Sequence, residues 1–353
     1  MPDPNGRVTA GVDAHTDTHT AAVLDAQGRL LGTQAFATNA AGYRALLGWL
    51  RSHGEIDRVG VESTGSYAAA LVRVLHDAGL TVIEVNQPHP HARQRRGKND
   101  AIDAELAARA AQSGTARAIP KQTDGRVEAI RQLTVARDGA IKARVAALGQ
   151  LEDLLITAPE ALRTRLDARK TLIAKAKICA QLRPNPGALA DPLEAARFAL
   201  RALARRIAQL DAEITSIDKH LTPLVTAVAP RTLALLGVGV QHTARLLITA
   251  GENIDRLHSE AAFARICAAA PIPASSGRTT RHRLDFGGDR QANRALHMIV
   301  VCRLRHDPRS RAYRDRRLTE GRTKREIIRC LKRYVAREVF ATLRADLTAL
   351  HAT

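Results

Sequence analysis

Lys98-Asn99-Asp100-Ala101-Ile102-Asp103-Ala104-Glu105 opens a run, AIDAELAARAAQ, that contains no helix breaker. On a helix, Asp100 and Asp103 stand three apart and share a face. Two acids far upstream belong with them. Asp13 ends the apolar run Val8 to Val12, and Glu62 ends another, Val59 to Val61. Both runs read as buried strands carrying an acid out at the tip. Three segments thus offer hard oxygen ligands of the kind Mg²⁺ takes, and a pair of such ions suits a phosphodiester. The spacing predicts one metal site built from Asp13, Glu62, Asp100 and Asp103.

Working outward, residues 7–37 read as three successive strands, with Ala26-Gln27-Gly28-Arg29 as the second turn. A helix follows, with Asn39 as N-cap and Tyr43, Leu46, Leu47 and Leu50 on one face. Then come the strand ending in Glu62, a helix closed by Gly79, the strand TVIEVN, and a break at Pro88 and Pro90. Three antiparallel strands followed by alternating helices and strands is the order of a ribonuclease-H-like fold. Each acid also has a plainer reading. Asp13 suits a turn, with Asp17 a near competitor; Glu62 has Glu55 and Glu84 for neighbours. The Asp pair suits dipole compensation at a helix start, and Glu105 imitates a ligand. His89, His91, Arg93, Arg95, Arg96 and Lys98 precede the helix, either as a solvated loop or as contacts to a phosphate backbone.

Composition bounds the partners. The 353 residues carry 54 Lys and Arg against 35 Asp and Glu, a formal net charge of +19. Arginine dominates the bases, which points to a polyanion, with nucleic acid the default. Aromatics are only 3% of the chain, against recognition by stacking bases along a single strand. No apolar run reaches the roughly 18 residues of a membrane span, and MPDPNGR lacks a signal-peptide core. Cys179, Cys267, Cys302 and Cys330 sit singly, without a CxxC pair. They read as reduced core residues of a cytoplasmic protein, with neither zinc nor a disulfide framework.

From about Asp124 the texture becomes long helices. Leu200, Leu203, Ile207, Leu210, Ile214, Ile217, Leu221 and Leu224 step by three and four, the pattern of a coiled-coil seam. An earlier helix, about 125–157, carries Ile141, Val145, Leu148, Leu151 and Leu155, with Arg137 and Arg144 interrupting its seam. The two arms either pack as an intramolecular hairpin or join subunits. After Pro230, Gly237-Val238-Gly239 lies between two apolar stretches, a helix-hairpin-helix look that offers backbone N–H groups to a phosphate. Then PIPASSGRTTRHRLDFGGDRQANRAL brings Ser275-Ser276-Gly277 among Arg278, Arg281, Arg283, Arg290 and Arg294. A serine beside glycine, ringed by guanidinium groups, suits attack on a phosphodiester. The plainer reading is a basic contact loop with both serines as turn formers. Helices at 290–305 and 323–343 close the chain, basic on one side.

The motifs GVDAH, ESTGSY, VNQPHPHARQRRGKNDAIDA, LLGVGVQHTARLL and PIPASSGRTTRHRLDFGGDRQANRALHMIV, in that order, resemble the DEDD transposases of the one-ten insertion-sequence family. Asn99 departs from the Thr frequent there. The resemblance implies a RuvC-like N-terminal domain over 1–123 whose Asp-Glu-Asp-Asp set is Asp13, Glu62, Asp100 and Asp103. It implies a helical coiled-coil region over 124–228 and a C-terminal transposase domain over 229–353. The nucleophile it implies is Ser276, with Ser275 the adjacent alternative. It also implies a homo-oligomer, dimer or tetramer, guided by a structured bridge RNA that pairs with DNA. Two other functions fit the residues: a metal-dependent junction nuclease in which water attacks, and a basic nucleic-acid-binding protein without chemistry.

Overall fold

The computed structural model describes residues 6–62, 64–86, 99–167, 171–253, 256–277, 282–283 and 285–352. His89, His91, Arg93, Arg95, Arg96 and Lys98, and with them Arg278 and Arg281, lie outside the described residues. The chain forms two compact units: residues 1–128 together with 246–353, and residues 129–245.

The first unit begins with a five-stranded sheet. Strands β1 (Arg7–Ala14), β2 (Thr18–Leu24) and β3 (Leu30–Ala37) form an antiparallel meander. After helix α1 (Ala40–Arg51), strand β4 (Glu55–Glu62) pairs parallel with β1. After helix α2 (Ala69–Asp77), strand β5 (Val82–Val85) extends the parallel side, so the order is β3-β2-β1-β4-β5. Asn39 caps α1 as its sequence predicts, its side chain accepting from the Gly42 N–H. Gly79, at φ +76°, follows the end of α2.

Strand alternation divides the sheet into two faces. Val8, Ala10, Val12 and Ala14 of β1 and Val59 and Val61 of β4 share a buried core with Leu46 and Leu50 of α1 and Leu71 and Leu75 of α2. The opposite face of β1 carries Thr9, Gly11 and Asp13, and that of β4 carries Gly60 and Glu62. Helix α3 (Asp100–Gln112) lies against this face, burying Ala104, Ala107, Ala108 and Ala111. Gly11 and Gly60 pair across β1 and β4. A Cβ at Gly11 would stand 2.1 Å from the Ala104 carbonyl oxygen, and one at Gly60 would stand 2.4 Å from that of Ala107. Helix backbone therefore rests directly on strand backbone, closer than any side chain allows. The far end of α3 is tied down as well: Gln112 Nε2 donates to the Asp25 carbonyl at 2.7 Å and Arg109 to that of Gly28 at 3.0 Å.

The rest is mostly helical. In the second unit, α4 (Arg126–Thr157) and α7 (Pro192–Val228) run antiparallel. Arg137 pairs with Asp218 at 2.6 Å and Arg144 with Asp211. Those arginines do not interrupt a seam; they flank it and hold it in register. Leu151 and Leu155 pack in one core with Leu200, Ala204 and Ile207, whereas Val145 is 60% exposed and off the contact. Of the two arrangements the sequence allows, this is the hairpin within one chain. Helices α5 (Glu160–Asp167) and α6 (Leu172–Cys179) complete this end.

Ahead of the Gly237-Val238-Gly239 turn, the first helix of the expected helix-hairpin-helix is a single turn, α8 (Pro230–Leu233), followed after the turn by α9 (Val240–Ala250). Pro230 sets the start of α8, and Gly237, at φ +81°, reverses the chain before α9. Beyond α10 (Glu260–Ile266), strands β6 (Ile272–Pro273) and β7 (His282–Arg283) pair antiparallel. Helices α11 (Arg290–His306), α12 (Pro308–Thr319) and α13 (Lys324–His351) follow. The basic face expected on the last helix is partly spent internally: Arg333 and Arg337 both hold Glu260, and Lys332 is buried. All four cysteines are free, Cys179 and Cys267 buried. Among the described residues no helix is long and apolar enough to cross a membrane.

Candidate functional site

The sheet delivers the upstream acids and α3 delivers the others. Asp13 is the last but one residue of β1 and Glu62 the last of β4, and the Val12–Val61 pairing sets them side by side on adjoining strands. Both fall on the face that α3 covers. Asn99 caps α3, accepting from the Ala101 N–H at 3.0 Å, and leaves Asp100 and Asp103 in the first turn. A carboxamide does the capping here that a threonine hydroxyl does equally well.

Asp13 is 6% exposed and Asp103 1%. Burial pushes the Asp13 carboxyl above its usual range; the nearby His15 works against this, and the charges of Asp103 and Asp100 add to the rise. Three of the four acids therefore feel one another. His15 is the member that motif reading passed over. Its Nε2 lies 3.1 Å from Asp13 Oδ2 and 3.3 Å from Asp100 Oδ1, so an N–H there donates between both carboxylates. Ligand atoms of Asp13, His15 and Asp100 lie within 4.8 Å of one another. The signal was present in GVDAH: residues two apart at a strand end share a face.

Competing acids are engaged elsewhere. Glu84, inside β5, accepts the Thr64 hydroxyl at 2.9 Å, and Glu105 holds Arg109 at 2.6 Å. Glu55 sits at the opposite end of β4 from Glu62. Asp17 lies exposed in the turn between β1 and β2.

A divalent cation fits this cluster on its chemistry. The donors are hard oxygens with one imidazole, gathered where burial and the neighbouring charges of Asp103 and Asp100 oppose ionisation of Asp13. A positive ion removes that penalty. Asp13, His15 and Asp100 are the residues whose ligand atoms come together closely enough to hold one ion.

Ser275 and Ser276 belong to a different element. They stand, exposed, in the hairpin between β6 and β7, where Gly277 takes φ +54° and Ile272 pairs with Arg283. Arg283, Arg290 and Arg294 lie on β7 and the start of α11; Arg283 and Arg290 are exposed, as is Arg294. Asp289 caps α11 through the N–H groups of Gln291 and Ala292 and accepts the Thr249 hydroxyl at 2.7 Å. Arg256 joins the acid-bearing domain to this region. It donates to the carbonyls of Ile119, Thr249 and Ala250 at 3.1–3.2 Å and stands 4.0 Å from Glu84. Gly237 and Gly239 are in the second unit, Gly239 with open space where a Cβ would be.

An α/β domain brings a strand-end acid, Asp13, against the helix-start acid Asp100 with His15 between them, and is followed in the chain by a mostly helical region. Two family models match in the same order: one described as "Transposase", the DEDD type of IS110, over residues 10–158, and one described as "Transposase IS116/IS110/IS902 family" over residues 231–315. A protein of insertion element IS110 from Streptomyces coelicolor, described as uncharacterized, is 31% identical over 165 residues, which cover 46% of this chain and 38% of that relative. One of insertion element IS900 from Mycobacterium paratuberculosis, likewise uncharacterized, is 26% identical across 96% of each chain. The chain belongs to the IS110 family of transposases.

Proposed function

We propose that the protein is an insertion-sequence recombinase that cuts and rejoins DNA strands. The observation that carries this reading is the convergence of Asp13, Asp100 and Asp103, with Glu62 alongside, in a chain of net charge +19. The order β3-β2-β1-β4-β5 supports a ribonuclease-H-like, RuvC-like domain over 1–123, followed by a helical arm over 124–228 and a transposase domain over 229–353. Asp13, Glu62, Asp100 and Asp103 would hold Mg²⁺, as a pair of ions. Bound there, such cations would supply charge stabilisation to the transition state of phosphoryl transfer.

The chain's own residues do the rest. Ser276 Oγ attacks a backbone phosphorus, with Ser275 its neighbour. A serine–phosphorus ester forms as the bond to the 3′-oxygen breaks, and the hydroxyl proton is matched by one taken up at the departing oxygen. A 5′-phosphoserine and a free 3′-hydroxyl result. Rejoining reverses the exchange with another 3′-hydroxyl, so no water is consumed and the ester count is unchanged. Arg283 and Arg294 hold non-bridging oxygens, Arg290 meets the nucleic acid beside them, and Arg93, Arg95, Arg96, Lys98, Arg278 and Arg281 track the backbone. The turn at Gly237 and Gly239 offers N–H groups to a phosphate. Specificity comes from a structured bridge RNA, and the working form is a homo-oligomer, dimer or tetramer, acting in the cytoplasm.

Ser276→Ala and the double change Asp100→Ala with Asp103→Ala test this. With DNA, bridge RNA and Mg²⁺, the serine variant is expected to lose covalent protein–DNA adducts on denaturing gels, and the acid variant to lose cleavage altogether. Hydrolysis persisting in Ser276→Ala favours a junction nuclease in which water attacks. Undiminished cleavage in the acid variant sinks the metal site and leaves a basic binding protein.

A further inference from the structure

Next to the serine hairpin the chain folds around a small cavity that strand cleavage does not use. After β7, Asp285-Phe286-Gly287-Gly288 leads into α11. Gly288 fixes the path of this loop, because a Cβ there would stand 2.4 Å from the Ala268 backbone nitrogen and 2.7 Å from the Arg265 and Ile266 carbonyl oxygens. The floor is rigid for another reason. Asn293 donates through Nδ2 to the carbonyls of Cys267 and Ala268 at 3.1 and 2.7 Å, and its Oδ1 accepts from Lys332 Nζ at 2.9 Å. Every group of that carboxamide is engaged, so its plane cannot flip.

The resulting cavity of about 190 Å³ is lined by Ala268, Asp285, Phe286, Gly288, Arg290 and Asn293. Three features of it ask for a ligand. Phe286 is 76% exposed, more than any other large hydrophobic side chain among the described residues, and so forfeits its share of hydrophobic stabilisation. Arg290 has no ion pair or side-chain hydrogen bond among the described residues, a pure donor at the cavity wall. Asp285 spends one oxygen on the Gly287 N–H at 2.9 Å and keeps the other as an acceptor. Beneath the floor, Lys332 is 8% exposed and has no carboxylate partner among the described residues.

We propose that this cavity receives one unpaired nucleobase of the polynucleotide handled by the serine hairpin. The inference rests on the reading of the protein as a nucleic-acid recombinase and adds to it a base-reading subsite. Phe286 stacks on the base, Asp285 accepts from a ring or exocyclic N–H, and Arg290 donates to a carbonyl or ring nitrogen. Volume and chemistry agree on this occupant. The space suits one planar ring rather than a helix, and acceptor and donor stand on the same small wall. The scarcity of aromatics in the chain argues against a stacking track, not against a single stacked base.

The test uses the full chain with EDTA present, so that binding is read without cleavage. The probes are two oligonucleotide duplexes that differ by a single unpaired 2-aminopurine, each made in DNA and in RNA. The wild type is expected to bind the bulged duplex about tenfold tighter than the paired one and to change the 2-aminopurine fluorescence. Phe286→Trp is expected to keep both effects. Phe286→Ala is expected to bring the two affinities to parity while leaving the paired duplex bound as before. The arm that shows the preference identifies the strand, DNA or RNA. An unchanged preference in Phe286→Ala overturns the pocket, as does a shift of that variant's sedimentation without loss of the preference, which marks Phe286 as a protein contact. Failure of the wild type to bind any duplex sinks the recombinase reading too, whereas binding with no bulge preference sinks the pocket alone.

Discussion

The two regions that carry the proposed chemistry are built in opposite ways. At the acid site, α3 sits on the sheet with backbone against backbone, Asp103 is sealed from solvent, and both ends of the helix are fixed. At the serine hairpin, two residue pairs form the β6–β7 ladder among the described residues, and Ser275, Ser276 and Gly277 are exposed. Metal ligands must hold their separations before the ion arrives, because each misplaced oxygen loses coordination. A nucleophile that ends up bonded to its substrate needs reach and access instead. The fold fixes the first set and leaves the second to be completed by what binds.

The sharpest way to break this contrast is to place a side chain between sheet and helix. Gly11→Val puts carbon 2.1–2.2 Å from the Ala104 carbonyl oxygen and the Ala108 nitrogen, both backbone atoms unable to yield. A loss of at least about 3 kcal/mol in denaturant unfolding is expected, together with loss of divalent-cation binding by titration calorimetry. The matching change at Gly277, Gly277→Ala, meets open space at φ +54° and should cost only about 1 kcal/mol of backbone strain. Equal costs at the two positions would erase the distinction.

Arg256 tests whether the two regions depend on each other. Burial pushes its pKa down and Glu84 pulls it back, so the guanidinium stays charged while serving three carbonyls. Thr249, one of those carbonyl partners, also holds Asp289 at the cap of α11. Arg256→Ala strands these acceptors together with Glu84, at a cost of about 2–4 kcal/mol. Strand cleavage should fall while cation affinity holds, and Arg256→Lys should recover part of it. Cation affinity falling in step with cleavage would mean that the residue serves the acid site itself.

How much of this was legible in the sequence follows the same division. The sheet, α1 with its Asn39 cap, and the start of α3 at Asp100 followed from period-two and helical spacing, because those segments bury one face locally. The role of Gly11 and Gly60 did not, since a close helix–strand approach depends on which strands become neighbours, and chain order alone does not say. His15 was missed because GVDAH sets it on the face of Asp13 but does not say whether an imidazole there bridges two carboxylates or points to solvent. Arg137 and Arg144 read as faults in a seam because their partners, Asp218 and Asp211, lie some 70–80 residues away. The single-turn α8 has the same origin: Pro230 and the Gly237 reversal leave it no room, whatever its apolar content.

The smallest effect expected is also the one that sets function against stability most directly. Burial, with Asp103 and Asp100 adding to it, holds the Asp13 carboxyl above its unfolded value, so its contribution is fully present below about pH 4 and is lost as pH rises through the folded pKa. Ionising Asp13 in the ion-free protein as the pH rises therefore carries a cost, which a neutral isostere removes. Asp13→Asn should raise the thermal midpoint in EDTA, by roughly 0.5–2 kcal/mol in stability terms, and should flatten its fall as the pH rises above about 4. Saturating Mg²⁺ should then reverse the order, because only the wild type gains the free energy of ligand binding. A variant less stable than the wild type in EDTA would show that Asp13 is held by partners that favour its charge, and the cluster would be an internal ion network rather than a seat for a cation.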